Sequence, residues 1–330
     1  MNFRNVAQLS DQVLDWSRRL PDDIDLIVGI PRSGLLVANL LALYRNLPFT
    51  DVDGLLAGRH FGSGLRMSGE GVGKPLDDFR HILIVDDSLH TGGAMERCKK
   101  SLAEAGVAHN ASFGAVYVQP YNKSVVDYYC EVLNQPRIFE WNVLHHPRSE
   151  YFCFDLDGVF CRDPTDAEND DGANYEAFIN NVPPRYIPDV TLGWIVTSRL
   201  EKYRRPTESW LARAGIRYEN LIMLDYPDAA TRRSFHSRSA FKAEVYRETG
   251  AQLFVESSLT QSFEIANLAG RDVLCIATMQ MVRPGSSPLI RPLFRADDVH
   301  PPSRSRAAAR RVLPRSVRKR ISNLTGGSSK

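Results

Sequence analysis

Apolar positions along the chain fall into two recurring patterns. Short unbroken runs have the length and composition of strands buried on both faces, as in a parallel sheet. Asp25-Leu26-Ile27-Val28-Gly29-Ile30, His81-Ile82-Leu83-Ile84-Val85 and Ser112-Phe113-Gly114-Ala115-Val116-Tyr117-Val118 are such runs. Between residues 5 and 19, Val6, Leu9, Val13, Leu14 and Trp16 fall partly on one helical face, which predicts a short amphipathic helix. An apolar helix is predicted through Tyr44, and another opens at Ala94 and runs to about Ala105. Strands alternating with helices predict an α/β protein. The pattern begins again at Tyr151-Phe152-Cys153-Phe154 and continues through Leu192-Gly193-Trp194-Ile195-Val196 and Leu253-Phe254-Val255, with a helix opening at Lys242. Two domains are expected, residues 1–147 and 148–283, with Pro147-Arg148-Ser149 reading as a linker. Residues 284–330 remain as linker and tail.

Composition narrows this picture. A chain of 330 residues is long enough for two α/β domains with sizeable cores. Apolar content of 43% and charged content of 24% suit a soluble globular protein. No apolar run is long enough to span a membrane, and Met1-Asn2-Phe3-Arg4-Asn5-Val6 lacks the shape of a signal peptide. Cys98, Cys130, Cys153, Cys161 and Cys275 are odd in number and include no CxxC pair, so a reducing cytoplasmic setting is expected.

Charge is distributed unevenly. Residues 301–330 hold nine basic and no acidic residues, so the net +2 of the whole leaves −7 on the preceding body. Pro314 is well placed as a first helical residue. Leu313, Val317, Ile321 and Leu324 then share one face, beside Arg315, Arg318, Lys319 and Arg320. A basic amphipathic helix of this kind lies on an anionic membrane surface, here the inner face. A solvated tail is the alternative. Nucleic acid ranks last, because no aromatic residue interleaves with the charge.

The chemistry concentrates in two places. In Val85-Asp86-Asp87-Ser88-Leu89-His90-Thr91-Gly92-Gly93-Ala94 a buried strand ends in two acids, and a hydroxyl- and glycine-rich turn leads into a helix. Acids at a strand end suit the vicinal hydroxyls of a furanose, directly or through a metal. N–H groups at the following helix N-terminus favour a phosphate. This stretch resembles the signature for 5-phosphoribosyl 1-pyrophosphate (PRPP) of type I phosphoribosyltransferases, and the resemblance extends over roughly residues 20–145. It implies a PRPP seat of Asp86, Asp87, Ser88, Thr91, Gly92, Gly93 and Ala94, with Mg²⁺ balancing the pyrophosphate. It also assigns Pro31, Arg32, Ser33 and Gly34, a tight βα turn, to the pyrophosphate. The glycine-rich stretch 54–75 falls where the family has a loop closing over PRPP, making Arg59, Arg66 and Lys74 candidates to neutralise the leaving group. His90, between the acids and the glycines, is expected to act as general base. The alternative is a hydrogen bond to the 5-phosphate. Tyr128, Tyr129, Phe139, Trp141, His145 and His146 are either core residues or the lining of an acceptor pocket.

The second place is Asp155-Leu156-Asp157-Gly158-Val159-Phe160, two carboxylates one residue apart at a strand end. Such a pair suits a nucleophile with a neighbouring acid/base. It resembles the first motif of haloacid-dehalogenase-like (HAD) phosphatases. The resemblance implies Asp155 as nucleophile, Asp157 as acid/base, Thr197 as phosphoryl seat, Lys242 as charge balance, and Asp155, Asp157 and Glu256 as holders of Mg²⁺. One departure stands out: the family usually supplies two acids at the last site, whereas Glu256 is followed by Ser257 and Ser258. The short spacings leave room for a small cap at most.

Together the resemblances imply two Rossmann-like parallel-sheet domains, a type I phosphoribosyltransferase fold followed by a HAD-like one, and a basic C-terminal tail. They also suggest why the two are joined. A phosphatase beside a nucleobase transferase would undo salvage. Where a plain ribosyl group is wanted, it becomes the necessary second step. The expected function is transfer of 5-phosphoribofuranose to a hydroxyl of a glycan or lipid-linked glycan, followed by removal of the 5-phosphate. This resembles fused ribofuranosyltransferases of bacterial polysaccharide biosynthesis. Nucleobase salvage with a nucleotidase or regulatory HAD domain, and a PRPP-sensing regulator, are the alternatives.

Overall fold

A computed structural model describes residues 1–62, 78–107, 110–231 and 237–287. Residues 1–286 form one compact unit. In chain order its regular elements begin with β1 (Asn2–Arg4), α1 (Val6–Ser17), β2 (Leu26–Gly29), α2 (Gly34–Arg45), β3 (Phe49–Asp51) and α3 (Val52–Leu56). Next come β4 (Ile82–Ser88), α4 (Gly93–Glu104), β5 (Ala111–Val118), β6 (Tyr128–Val132), β7 (Arg137–Phe139) and β8 (Phe152–Phe154). The remainder are α5 (Ala173–Asn181), β9 (Leu192–Leu200), α6 (Arg204–Arg213), β10 (Tyr218–Leu224), α7 (Arg238–Glu248), β11 (Leu253–Glu256), α8 (Leu259–Ala269), β12 (Val273–Cys275) and β13 (Gln280–Val282).

The first lobe is built on an all-parallel sheet, ordered β3-β2-β4-β5-β6. The period of two along each strand sends side chains to two cores. Ile27, Leu83, Val85 and Val116 pack with Leu9, Val13 and Trp16 of α1 and Val37 and Leu41 of α2. Leu26, Val28, Ile82, Ile84 and Ala115 pack on the other face with Leu55 of α3 and Met95, Cys98 and Leu102 of α4. The middle strand β4 therefore delivers its carboxyl end to a place flanked by helices on both faces, where open α/β sheets bind ligands.

The second lobe repeats the design in the order β10-β9-β8-β11-β12-β13, parallel except for β13. Phe152, Phe154, Ile195, Leu253 and Val255 pack with α5 and α6 through Phe178, Ile179, Trp210 and Leu211. Cys153, Val196, Phe254 and Val273 pack with α7 and α8 through Ala243, Tyr246, Phe263 and Ile265.

The lobes share a core. Phe3, Ile138, Val143 and Leu144 belong to the same cluster as Phe152 and Leu274. The N-terminal ammonium pairs with Asp272 at 2.7 Å, and His145 Nδ1 lies 2.9 Å from Asp189 Oδ1. The stretch 147–149, expected as a linker, instead opens a 3₁₀ helix from Pro147 to Tyr151, and Ser149 is fully buried. A glycine-rich loop was expected from residue 54, but Gly54 lies inside α3. A Cβ there would stand 2.2 Å from Thr50 Oγ1, so the glycine serves close packing. All five cysteines are free thiols. Among the described residues no helix is long and apolar enough to cross a membrane. The basic tail, Arg66 and Lys74 lie outside the described residues.

Candidate functional sites

In the first lobe the expected residues converge. Asp86 and Asp87, both buried, occupy the end of β4. The Pro31–Gly34 turn meets them through Ser33, whose Oγ donates to Asp87 Oδ1 at 2.7 Å. The Pro31–Arg32 peptide bond is cis. Glycine is required at 34: a Cβ would stand 2.7 Å from Val85 O and 3.1 Å from Asp86 Oδ1, so any side chain would push α2 off the acid pair. On the other side Gly92, at φ +82°, turns the chain into α4, and Thr91 Oγ1 accepts the Gly93 N–H at 3.4 Å. Ser88 ends β4 half-buried, and Ala94 lies in the first turn of α4. Arg59 is exposed beyond α3.

Burial first, and then the neighbouring Asp87, push the Asp86 carboxyl up from 3.8 to about 8. Two acids forced together at a strand end suit a cation. A hydrated Mg²⁺, held by one or two carboxylates and by substrate phosphates, fits this donor set.

Trp141, which sequence reasoning had left between core and pocket, is part of the site. Its Nε1–H donates to Asp87 Oδ2 at 2.9 Å, while its ring stacks on Phe139 at 4.8 Å. Arg137 was missed altogether. It is buried, donates to Leu89 O at 2.6 Å and Leu133 O at 3.3 Å, and so braces the turn that follows the acids. His90 is exposed, yet its carbonyl and Nδ1 are held. Its carbonyl accepts from Asn122 Nδ2 at 2.7 Å and Tyr121 OH at 3.3 Å, and its Nδ1 lies 3.2 Å from both Gln119 Nε2 and Gln135 Nε2. These partners come from the segments after β5 and β6, which local pattern could not connect to residue 90.

In the second lobe Asp155 follows the end of β8, beside β9 and β11. Lys242 lies within α7, not at its start, and its ammonium sits between two buried carboxylates. It is 2.8 Å from Asp155 Oδ2 and 2.7 Å from Glu256 Oε2. One ammonium cannot balance two carboxylates in a dry site. Burial, then Glu256, push the Asp155 carboxyl well above its ordinary range against the pull of Lys242. Burial works against the Lys242 charge, yet Asp155 and Glu256 outweigh it and raise the pKa of this ammonium.

Asp157 is gripped by Arg199, which is 1% exposed: Nη2 meets Oδ1 at 2.6 Å and Nε meets Oδ2 at 3.1 Å. Thr197 is buried within β9, which runs on to Leu200, and its Oγ1 accepts the Arg199 N–H at 3.2 Å. The residue of this strand that lines the cleft is the next one, Ser198. The cleft, of about 410 Å³, is otherwise lined chiefly by polar groups, among them Asp155, Asp157, Asp163, Asn169, Arg238 and Gln261.

The Mg²⁺ seat expected from Asp155, Asp157 and Glu256 does not fit these contacts. Glu256 is fully buried and has no oxygen to spare. Oε1 accepts the Ser257 and Ser258 N–H groups at 2.9 and 3.0 Å, and Oε2 is held by Lys242. Both oxygens of Asp157 face Arg199. Among the described residues no three His, Cys, Asp or Glu side chains gather as metal ligands. Ser257 stands where a second acid was missed, and its hydroxyl donates to Asp157 O at 3.3 Å.

Residues 2–149 match the family model described as the phosphoribosyl transferase domain. Solved structures similar to the chain include xanthine-guanine-hypoxanthine phosphoribosyltransferase of Helicobacter pylori, at 15% identity and TM-score 0.32, covering 43% of this chain and 92% of that one. Purine phosphoribosyltransferase of Pyrococcus horikoshii is 20% identical at TM-score 0.32, over 43% and 95%. Hypoxanthine phosphoribosyltransferase of Trypanosoma cruzi, in complex with IMP, is 12% identical at TM-score 0.26, over 39% and 77%. No curated protein matches the chain. The family-model match thus puts a phosphoribosyltransferase domain in residues 2–149.

Proposed function

We propose that the first lobe transfers 5-phosphoribofuranose from PRPP to a hydroxyl of a glycan acceptor, and that the second lobe then removes the 5-phosphate to leave a β-ribofuranosyl residue. The observation that carries the transfer is the meeting of Asp86 and Asp87 with the Pro31–Gly34 and Thr91–Gly93 turns at the end of β4. The acids take the 2,3-diol and the turns take the two phosphate ends. Asp86 and Asp87 would hold Mg²⁺ with the substrate phosphates, and the ion would supply charge neutralisation for the departing pyrophosphate. The bond from C1 to pyrophosphate breaks and the acceptor oxygen bonds C1 from the opposite face, so the α-configured donor gives a β product.

In the second lobe the Asp155 carboxylate would attack phosphorus. Lys242 would hold its spectator oxygen, and Asp157, once drawn off Arg199 by bound substrate, would handle the proton of the leaving oxygen and of the water that follows. Strand-end placement of Asp155 in a polar cleft supports this reading. Among the described residues no large domain covers the cleft, which suits a bulky product, and the basic tail suits a lipid-linked acceptor at an anionic membrane.

Two variants, supplied with PRPP and either a glycan acceptor or free nucleobases, test the scheme. Asp87→Asn should stop pyrophosphate release while hydrolysis of phosphate esters continues. Asp155→Asn should leave transfer active and accumulate a phosphorylated ribosyl glycan. Nucleotide formed from free bases, with no glycan product, would establish salvage instead.

A further inference from the structure

The His90 ring is held in a way that decides which nitrogen carries its proton. Gln119 Nε2 and Gln135 Nε2 both lie 3.2 Å from Nδ1. The direction of the second bond is set by the backbone, because Gln135 Oε1 accepts the Arg137 N–H at 3.0 Å. That contact turns the amide NH₂ toward the imidazole, the network argument by which amide orientations are assigned. Arg137 holds its place, since its buried guanidinium is tied to Leu89 O and Leu133 O. An N–H aimed at Nδ1 needs a lone pair there, so the neutral ring carries its proton on Nε2. Nε2 is also the ring nitrogen left for a ligand, one residue before the Thr91–Gly93 turn.

We infer that Gln135 is a positioning residue that sets the Nε2–H tautomer of His90, and that His90 donates this hydrogen bond to the 5-phosphate of PRPP. The inference rests on the PRPP reading of the first lobe. It replaces the general-base role expected from the sequence, because the basic lone pair is already occupied and the outward nitrogen holds a proton. Transfer then needs no protein base. Pyrophosphate departs with the electron pair of the C1–O bond, the acceptor oxygen bonds C1, and its proton passes to water from the resulting oxonium.

Imidazole-¹⁵N NMR of the full chain reads the tautomer directly, with His90 identified among the eight histidines by its loss in His90→Asn. At a pH where the ring is neutral, Nε2 should show the protonated signature and Nδ1 the unprotonated one. Gln135 is exposed, so Gln135→Glu should fold, and by offering an oxygen to Nδ1 it should move the proton there. Ribose 5-phosphate should shift the Nε2–H resonance, and pyrophosphate alone should not. A hydrogen bond to a charged phosphate contributes about 10- to 100-fold in affinity. Both Gln135→Glu and His90→Ala should therefore raise KM for PRPP by that order with kcat little changed. An unprotonated Nε2 in the free protein, or a fall in kcat at constant KM in His90→Ala, would overturn the inference. If the tautomer is as assigned but wild type binds no ribose 5-phosphate, the PRPP reading fails, and the donor role with it.

Discussion

Replacing Asp86 by asparagine should make the protein more stable and useless for transfer. Asp86 is buried beside another carboxylate, and its carboxyl is pushed from 3.8 up to about 8, first by burial and then by Asp87. Near neutral pH the folded protein keeps a proton there that the unfolded chain releases. Stability from this group is complete below pH 3.8, declines as pH rises through about 8, and is level beyond. Each unit costs about 1.4 kcal/mol, so at pH 7 the burden is roughly 4 kcal/mol. Asparagine carries no charge and retains the oxygen that accepts the Asp87 N–H at 2.8 Å. Its NH₂ needs a partner, which offsets about 1–2 kcal/mol. A net gain of about 2–3 kcal/mol is expected at pH 7, with the decline between pH 5 and 8 abolished. Urea unfolding at several pH values, followed by tryptophan fluorescence, measures both, since Trp16 and Trp141 report on this lobe. A variant no more stable than wild type at pH 7, or one with the same decline, would refute the reasoning. An acid that destabilises its own fold is retained for what it binds.

Two further outcomes follow from the second lobe and the tail. Lys242→Met removes the cation between Asp155 and Glu256 and should cost about 3–5 kcal/mol. Urea unfolding should show the loss to be larger at pH 8 than at pH 5, because an Asp155 carboxyl already pushed upward takes up a proton as pH falls and relieves the repulsion. Truncation at about Pro302 should release the protein from anionic liposomes in a sedimentation assay, each basic residue near the surface contributing about 1 kcal/mol. Equal sedimentation before and after truncation would remove the tail from membrane binding.

Residues that act through their immediate neighbours were legible in the sequence. The apolar run into Asp86-Asp87 and the glycine turn after it are local, because a parallel strand and a helix N-terminus are each specified within a few residues. The same holds for the strand into Asp155. Contacts across the fold were not legible. Trp141 reaches Asp87 from 54 residues away, Arg199 reaches Asp157 from 42, and Gln135 reaches His90 from 45. Nothing in the local pattern of those residues marks a partner. Arg199 reads as a surface charge until β9 carries it into the core, and Ser149 reads as linker until the fold buries it. Glu256 shows the same limit from the other side. Its place at a strand end suggested a metal ligand, but tertiary packing brought Lys242 and two backbone N–H groups to its oxygens first. Sequence alone determined which acids stand at the strand ends. The tertiary structure decided what each acid is bonded to, because a buried charge is set by whichever partners the folded chain brings within hydrogen-bonding reach.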